Sequence, residues 1–366
     1  MKKIAFICGG NSVEREISCL TSLKVVKELK QKGVDCLLIY LDEKMNFHLV
    51  KELTPKFVEE NKLIKGDFYK KKNISIFKTF KKKYVFDYVC ILGHGKNIEE
   101  GNLKSYFDIQ KIPCLCESIY NGVILQDKHK FKMALNYLNI PSLPHKIIYK
   151  YQIERNDKIK QIINKFSFPL IVKPSSLGSS IGINVVETKE KLKESLVQTS
   201  YYDDAILVET YIKNKIEINV AILGYENEIY ISSLEEVNDS KNILSFYDKY
   251  DYSSTNKKRI INPNVDEKIK VKILDTAKKV FDNLHLCGLI RFDFIIDLDQ
   301  EKVYLNEANL IPGSLAYYLF ENQFDIPSLV EKYIELLMKK YQQQELLLNK
   351  FDEGFMTKID LSKLKK

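Results

Sequence analysis

Two apolar segments joined by a turn, residues 292–313 (FDFIIDLDQEKVYLNEANLIPG), constrain the fold of this chain more than any other stretch. Both segments are predicted to be strands, and the second runs straight into a polar end. Glu307 and Asn309 lie two residues apart on that strand, so their side chains point the same way, and Asp293 can reach the same face from the neighbouring strand. Two carboxylates and an amide oxygen suit Mg²⁺, which completes its octahedron with phosphates and water. The pair therefore predicts a metal site.

Cations elsewhere in the chain indicate what such a metal would hold. Arg291, two residues before Asp293, is predicted to point to the same face. Lys173 opens residues 173–182 (KPSSLGSSIG), a loop of small residues typical of a flap whose backbone N–H groups approach phosphates, although it lacks the Walker A spacing. Lys128 lies where a helix begins. Lysines on phosphates, a flap, metal ligands and an arginine are together typical of phosphoryl transfer from ATP.

The order of predicted elements divides the 366-residue chain, which is too long for one ordinary core, into domains. Residues 1–120 alternate strands such as KIAFICGG and DCLLIYL with helices, a pattern typical of a parallel sheet with helices on its faces. Residues 121–216 contain two apolar strands that bracket the Ser/Gly loop as an antiparallel hairpin. Residues 217–340 contain the strand pair of the metal site, and residues 341–366 are predicted to form a helical tail.

Two of the predicted helices have apolar faces that can be read from the spacing of their residues. The first helix is predicted to end at Gly33 and to bury Cys19, Leu20, Leu23 and Val26. The helix that closes the third domain is predicted to bury Leu329, Val330, Tyr333, Leu336 and Leu337.

Composition excludes several classes of function. The net charge is +8, but the lysines are spread along the chain without the signature of a nucleic-acid-binding module, so we expect no nucleic acid. No apolar stretch approaches the roughly 18 residues of a membrane span, and G-x-G-x-x-G of a dinucleotide-binding fold is absent. The seven cysteines lack metal-ligand spacing and are expected to be reduced thiols of a cytoplasmic protein. Small molecules are the expected partners.

An ordered set of motifs then makes a family resemblance specific. From the N-terminus the motifs are GGNSVEREIS, HGKNIEEG, KIPCLCES, DKHKFK, FPLIVKPSSLGSS, ILVETYI, FYDKY, IRFDF and NEANLIPG. In this order they resemble the D-alanine–D-alanine ligase family of the ATP-grasp superfamily. The resemblance implies an ATP-grasp architecture, in which an N-terminal α/β domain precedes two α+β domains that sandwich ATP. It also implies ADP-forming ligation of two D-alanines through an acyl phosphate, for peptidoglycan precursor synthesis.

The resemblance implies cofactors and site residues as well. The expected cofactors are ATP and two Mg²⁺ ions, with Mn²⁺ as an alternative, and a homodimer is common in the family. The residues implied to bind ATP are Lys128, Lys173, Ser179, Ser180, Glu209, Ile212 and Glu217, and those implied to bind metal are Asp293, Glu307 and Asn309. Those implied in the reaction are the triad Glu14, Ser179 and Tyr250 and the oxyanion hole of Arg291 and the Gly313 N–H. The first substrate would meet Glu14 and His94, and the second Tyr318 and Leu319.

Departures from the family pattern keep two alternatives open. Tyr318 stands where the family has a serine that holds the second D-alanine's carboxylate, and Leu310 replaces a threonine. HGKNIEEG lacks an internal glycine, and FYDKY is two residues shorter than the family's loop motif. One alternative is the same mechanism with another amino acid, a hydroxy acid or an amine as acceptor. The other is a nucleotide-binding protein without catalysis, but such a protein would not need an oxyanion arginine such as Arg291.

Overall fold

The computed structural model describes residues 3–238 and 258–347. In those ranges the strands form three sheets that follow one another along the chain. The α-helices of the same ranges are α1 (Arg15–Gln31), α2 (Asn102–Ile109), α3 (Ile119–Gln126), α4 (Lys128–Tyr137), α5 (Asn156–Lys165), α6 (Lys189–Thr199), α7 (Glu267–Asn283) and α8 (Ile326–Glu345). The three sheets follow the order of the three predicted domains, whose exact boundaries stay a prediction.

The first sheet has eight strands in the order β6-β5-β4-β3-β2-β1-β7-β8. The strands are β1 (Ile4–Gly9), β2 (Cys36–Leu41), β3 (Phe47–Val50), β4 (Leu63–Lys71), β5 (Ile74–Thr79), β6 (Lys83–Phe86), β7 (Tyr88–Ile91) and β8 (Cys114–Leu115). The predicted parallel sheet is confirmed for β2, β1, β7 and β8. An antiparallel meander of β3 to β6 extends it, because no helix separates these strands: residues 51–62 connect β3 to β4 as a loop, and residues 72–73 and 80–82 are short turns.

Helix α1 brings Glu14 to the carboxyl end of β1, where open parallel sheets place ligands. Its buried face differs from the predicted one: Leu20 is 43% exposed, whereas Ser18 and Ser22 are buried. Ser18 accepts a hydrogen bond from the Gly9 N–H, and Ser22 donates to the Leu92 carbonyl. Polar side chains that bond to strand backbone can therefore occupy a buried face, which apolar spacing alone does not show.

The second sheet has four strands in the order β11-β10-β12-β9. They are β9 (His145–Tyr149), β10 (Leu170–Pro174), β11 (Asn184–Val186) and β12 (Ala205–Thr210). The antiparallel pairing of β10 and β11 confirms the predicted hairpin, and residues 175–183 between them form the flap. Helices α5 and α6 contribute Ile162, Leu192 and Leu196 to the core under this sheet.

The third sheet follows the order β16-β15-β13-β17-β18, and β14 pairs with β13 beside it. Its strands are β13 (Lys215–Tyr225), β14 (Glu228–Ile231), β15 (Glu235–Asn238), β16 (Lys258–Ile261), β17 (Gly288–Asp297) and β18 (Lys302–Asn309). The predicted antiparallel strand pair is β17 and β18. Helices α7 and α8 contribute residues to two separate cores of the protein.

Helix α8 buries all five residues that the sequence predicted, Leu329, Val330, Tyr333, Leu336 and Leu337. Each such side chain contributes about 1.5–3 kcal/mol when fully buried. The helix extends into the predicted helical tail as far as Glu345. Residues 348–366 lie outside the described residues. Among the described helices, none combines the length and the hydropathy that crossing a membrane requires.

Candidate active site

A cavity of about 430 Å³ is lined by residues of all three sheets and their loops. The predicted site residues that line it are Glu14, His94, Lys128, Lys173, Ser179, Ser180, Glu209, Ile212, Glu217, Arg291, Asp293, Glu307, Asn309, Gly313 and Tyr318. Leu319 does not line this cavity, because its side chain is 1% exposed and packs in a hydrophobic core, and its part in binding substrate stays a prediction. Tyr250 lies outside the described residues.

The carboxylate end of the cavity is built by strand register. Asp293 on β17 lies opposite Glu307 on β18, and Arg291 lies opposite Asn309, so all four side chains share one face as predicted. The Arg291 guanidinium donates two hydrogen bonds to Asp293, from Nε to Oδ1 and from Nη2 to Oδ2, both 2.7 Å long. The Asn309 amide donates to Asp293 Oδ2 at 3.0 Å. The arrangement is a fixed cluster of oxygen donors with one cation beside it.

This donor set fits a hard divalent ion. The side chains of Asp293 and Glu307 are 16% and 27% exposed, so their oxygens can be reached from the cavity. Among residues 3–238 and 258–347, no three His, Cys, Asp or Glu side chains gather as a metal cage. Two carboxylates and an amide oxygen leave most of an octahedron open, which suits Mg²⁺ bound together with nucleotide phosphates and water.

Two buried lysines meet on one carboxylate at the base of the flap. Glu209 on β12 forms ion pairs with Lys173 on β10 and with Lys132 on α4, where Lys132 Nζ lies 3.2 Å from Glu209 Oε2. Burial alone would raise the pKa of Glu209, but the two lysines outweigh it and lower that pKa to about 2. Burial lowers the pKa of Lys132. The sequence analysis missed Lys132, although its spacing of four from Lys128 puts both on one helical face.

The flap reaches across to the first sheet. Ser179 Oγ donates to Glu14 Oε1 at 2.6 Å, and the Gly178 N–H lies 3.4 Å from Glu14 Oε2. A Cβ atom at Gly178 would lie 2.9 Å from Glu14 Oε1, so a larger residue there would displace the Glu14 carboxylate. Lys128 holds the flap's base, since its Nζ donates to the Leu177 carbonyl at 2.5 Å. A contact between residues 165 positions apart thus closes the cavity over Glu14.

Glu14 and His94 form a pair of buried titratable groups near the flap. Burial, and then the charge of Glu99, raise the pKa of Glu14, although the Ser179 bond and the His94 charge oppose this. Burial would lower the pKa of His94, but Glu99, whose Oε1 is 3.8 Å from His94 Nδ1, and Glu14 raise it. Within the described part of the chain, the buried His94 Nε2 has no hydrogen-bond partner. The arrangement offers a carboxylate and an imidazolium N–H to a small zwitterion.

A third group of side chains, here named the Glu235 cluster, consists of Glu235, Asn219, Arg259 and Tyr318. Glu235 is 1% exposed, and its Oε2 accepts from the Asn219 amide at 3.0 Å and from the Tyr318 hydroxyl at 3.1 Å. Arg259 Nε lies 3.4 Å from Glu235 Oε1, and its guanidinium lies 5.0 Å from the centre of the Tyr318 ring. Burial raises the pKa of Tyr318 to about 12, with Arg291 opposing and Glu235 adding to the rise.

Register explains why sequence analysis missed Glu235 and Asn219. Asn219 pairs with Asp293 on one side and with Glu235 on the other. Glu307, Asp293, Asn219 and Glu235 therefore form one polar row across β18, β17, β13 and β15. The four residues are far apart in sequence, and nothing in the sequence gives the pairing of β13 with β15.

Lysines beside a flap, a carboxylate–amide cluster and an arginine on one cavity define the class of protein as an ATP-grasp carboxylate–amine ligase. The family model described as D-ala D-ala ligase N-terminus matches residues 3–116, and the one described as D-ala D-ala ligase C-terminus matches residues 135–334. The chain belongs to the D-alanine–D-alanine ligase family, as the motif order predicted. It is an ATP-dependent, ADP-forming ligase of that family.

Curated relatives and solved structures agree with this assignment. A D-alanine–D-alanine ligase of Thermosipho melanesiensis is 30% identical over 358 residues, which covers 95% of this chain and 96% of that protein. The crystal structure of the ligase from Helicobacter pylori has a TM-score of 0.75 at 26% identity and covers 92% of this chain and 98% of its own. The ligase from Coxiella burnetii, at 23% identity with a TM-score of 0.79, covers 94% and 96% and shows the fold. The predicted fold class is confirmed.

Proposed function

We propose that this chain joins two D-alanines at the expense of ATP, through an acyl phosphate, and so makes a peptidoglycan precursor. The observation that carries the proposal is the Ser179–Glu14 hydrogen bond of 2.6 Å, because it closes a phosphate-binding flap over a carboxylate suited to an amino acid's ammonium. Family membership supports the reaction class.

The first D-alanine is proposed to lie between Glu14 and His94. Its ammonium donates to the Glu14 carboxylate, and its own carboxylate accepts from the His94 N–H. The unpartnered Nε2 of His94, within the described residues, supports this pose. An oxygen of the bound carboxylate attacks the γ-phosphorus of ATP, and ADP leaves, which gives the acyl phosphate.

ATP is proposed to lie between the second and third sheets. Lys128 and Lys173 hold the phosphates, and the flap residues Ser179 and Ser180 cover them. Both serines have positive φ angles, 53° and 59°, which suits a turn whose N–H groups point inward. The proposed contacts of the nucleoside are Glu209 and Ile212 at the adenine and Glu217 at the ribose.

Asp293, Glu307 and Asn309 are proposed to hold two Mg²⁺ ions, for which Mn²⁺ could substitute. When bound, such ions would neutralise phosphate charge as the phosphoryl group is transferred. Arg291 forms an ion pair with one of the two carboxylates, that of Asp293.

The second step is an attack by the amine of the acceptor on the acyl carbonyl. Arg291 and the Gly313 N–H are proposed to hold the oxyanion of the tetrahedral intermediate, and phosphate then leaves. Gly313 begins a 3₁₀ helix, Gly313–Leu319, so its N–H belongs to the first turn, where such groups lack a helical acceptor. The flap excludes water that would hydrolyse the acyl phosphate. Tyr250, proposed as the triad's third member, lies outside the described residues.

Three further properties are proposed: assembly as a homodimer, which is common in the family, a cytoplasmic location, from the pattern of the cysteines, and the absence of nucleic-acid partners, from the spread of the lysines.

The test combines two measurements on the purified protein with Mg-ATP and D-alanine. Mass spectrometry should find D-alanyl-D-alanine, and phosphate release should equal dipeptide formation mole for mole. L-alanine should give neither product. Phosphate release without any dipeptide would contradict the proposal, as would turnover with L-alanine at the rate of D-alanine.

A further inference from the structure

The proposed function requires a group that binds the carboxylate of the acceptor. The acceptor amine must reach the carbonyl carbon beside Arg291, and in an α-amino acid the carboxylate is only two bonds from that amine. A carboxylate that enters the cavity loses part of its water and needs a cation or several donors in return. Its binding group must therefore line the same cavity near Arg291.

The cations that line the cavity can be compared. Among the described residues they are Lys24, Lys128, Lys173, Lys213, Lys215, Arg259 and Arg291. Four of them already face carboxylates of the ATP and metal region: Lys128, Lys173, Lys215 and Arg291. Lys213 is exposed in the turn between β12 and β13, beside the proposed adenine contact Ile212. Lys24 on α1 and Arg259 on β16 are left, and each lies over a tyrosine of the 3₁₀ helix.

The Glu235 cluster favours Arg259 over Lys24. Glu235 is buried, and its Oε1 forms an ion pair with the Arg259 Nε at 3.4 Å, which leaves the outer edge of the guanidinium for a second, planar anion. Lys24 is exposed on a flexible stem, and its ammonium lies 4.6 Å from the Tyr317 ring. A guanidinium held by a buried carboxylate and packed on a ring is pre-organised for a carboxylate, whereas a free lysine must be ordered first.

Tyr318 itself is poorly placed to bind the carboxylate. Its single O–H donates to Glu235 at 3.1 Å, so no proton is left for a second acceptor. Glu235, as a buried anion next to it, would repel a second carboxylate that lacked a cation of its own. The phenol ring instead supports the Arg259 guanidinium at 5.0 Å.

We propose that Arg259, positioned by Glu235 and supported by Tyr318, binds the carboxylate of the acceptor amino acid. This inference rests on the proposed function and names the acceptor class: an α-amino acid with a free carboxylate. It assigns Glu235 and Tyr318 as positioning residues, which touch Arg259 and not the reacting atoms.

The experiment is a competition between two acceptors. The enzyme receives Mg-ATP and an equimolar mixture of D-alanine and D-alaninamide, and mass spectrometry gives the ratio of D-alanyl-D-alanine to its amide. D-alaninamide has no carboxylate to phosphorylate, so it can only accept. Both products share one acyl phosphate, so the ratio reports acceptor selection alone. The different basicity of the two amines affects every variant equally and cancels in the comparison.

We expect Arg259→Gln to shift the product ratio towards the amide by about 10- to 100-fold, since a hydrogen bond to a charged group is lost. Arg155→Gln is the matched control, because Arg155 is 55% exposed and pairs with Asp157 at 3.3 Å, as Arg259 is 51% exposed and pairs with Glu235. It should keep the wild-type ratio. Tyr318→Phe keeps the ring, so its shift should be several-fold smaller than that of Arg259→Gln.

Removing Arg259 leaves Glu235 buried without its cation, which could unfold the protein. The double variant Arg259→Gln/Glu235→Gln removes both charges and should show the same shift. A wild-type ratio in either properly folded variant overturns the inference, as does a shift in Lys24→Gln or Tyr318→Phe with none in Arg259→Gln. Wild-type protein that makes no dipeptide from D-alanine overturns the proposed function instead.

Discussion

At the scale of single residues, the chemistry of this protein depends on carboxylates that differ in their surroundings. Glu307 faces the cavity from the carboxylate–amide cluster, Glu14 lies under the flap, and Glu209 is buried between two lysines. Burial raises the pKa of Glu14, whereas the lysines lower the pKa of Glu209. The same side chain therefore serves three purposes in one cavity.

Replacing Glu307 with glutamine should reduce ATP turnover by at least about 100-fold, because a neutral amide holds a divalent cation much more weakly than a carboxylate does. The unfolding midpoint should stay within a few degrees of wild type. Glu301→Gln is the control, since Glu301 lies in the turn before the same strand, is exposed and does not line the cavity. Steady-state phosphate release gives the comparison, and normal Mg-dependent turnover by the Glu307 variant would show that the metal site is misassigned.

The pH dependence of the first step should follow Glu14. Its carboxylate must be ionised to accept from an ammonium, and its pKa is raised above the ordinary value of 4.5. The kcat/KM for the first D-alanine should therefore fall as the pH drops through that raised pKa. Glu14→Gln should raise the KM of this substrate and remove the acid limb while sparing ATP affinity. Equal loss of ATP affinity would indicate that Glu14 only stabilises the start of α1.

At the scale of elements, the flap and helix α4 connect the sheets. Local patterns in the sequence predicted several of the elements correctly. They are the hairpin β10–β11, the strand pair β17–β18 and the apolar face of α8. Lys132 lies one helical turn after Lys128, but its ion pair with Glu209 on a distant strand could not be predicted. Asn219 and Glu235 were not found, because their roles depend on pairing between segments distant in sequence. Leu20 was misassigned, because buried serines of α1 bond to strand backbone.

The flap contact gives a prediction for Ser179→Ala. This variant loses the 2.6 Å hydrogen bond to Glu14, so kcat/KM for D-alanine should fall about 10- to 100-fold. Global stability should not change, because the lost bond lies at a loop. Ser167→Ala, an exposed serine of the same domain, should behave as wild type. Unchanged kinetics in the Ser179 variant would mean that the contact does not form during turnover.

The buried ion pair between Lys132 on α4 and Glu209 on β12 gives a prediction about stability. The pKa of Glu209 is lowered in the folded protein to about 2 from 4.5, so its contribution is full above pH 4.5 and is lost as the pH falls through about 2. Glu209→Gln should cost about 3–5 kcal/mol at pH 7, because two lysines lose their anion. The difference between the urea unfolding midpoints of the wild type and of Glu209→Gln should become smaller as the pH falls below 4.5. A difference that grows on acidification would contradict the ion-pair assignment.

At the scale of the whole molecule, the cavity is assembled from three sheets, so no single domain contains a complete site. Glu14 comes from the first sheet's loops, Lys173 and Ser179 from the second sheet and its flap, and Arg291 from the third. Ligands that bind on different sheets should consequently favour the same closed arrangement.

Binding should therefore be cooperative. A non-hydrolysable ATP analogue with Mg²⁺ and D-alanine together should raise the unfolding midpoint by more than the sum of their separate effects. Thermal unfolding with each ligand alone and with both measures this excess. Ser179→Ala should lose the excess, because the flap no longer links the two ligand sites. Strict additivity in the wild type would show that the sheets bind their ligands independently.

The ladder between β13 and β17 has a consequence for how the molecule opens. Ten residue pairs join these strands, and the third sheet's polar row is anchored on them. Amide protons of such a central ladder exchange with solvent only in the rarest openings, whereas a loop such as the flap exchanges early. Arg291, Asp293 and Asn219 should thus stay assembled while the flap has already released Glu14. A product can therefore leave from the flap end of the cavity while the residues on β13 and β17 keep their arrangement.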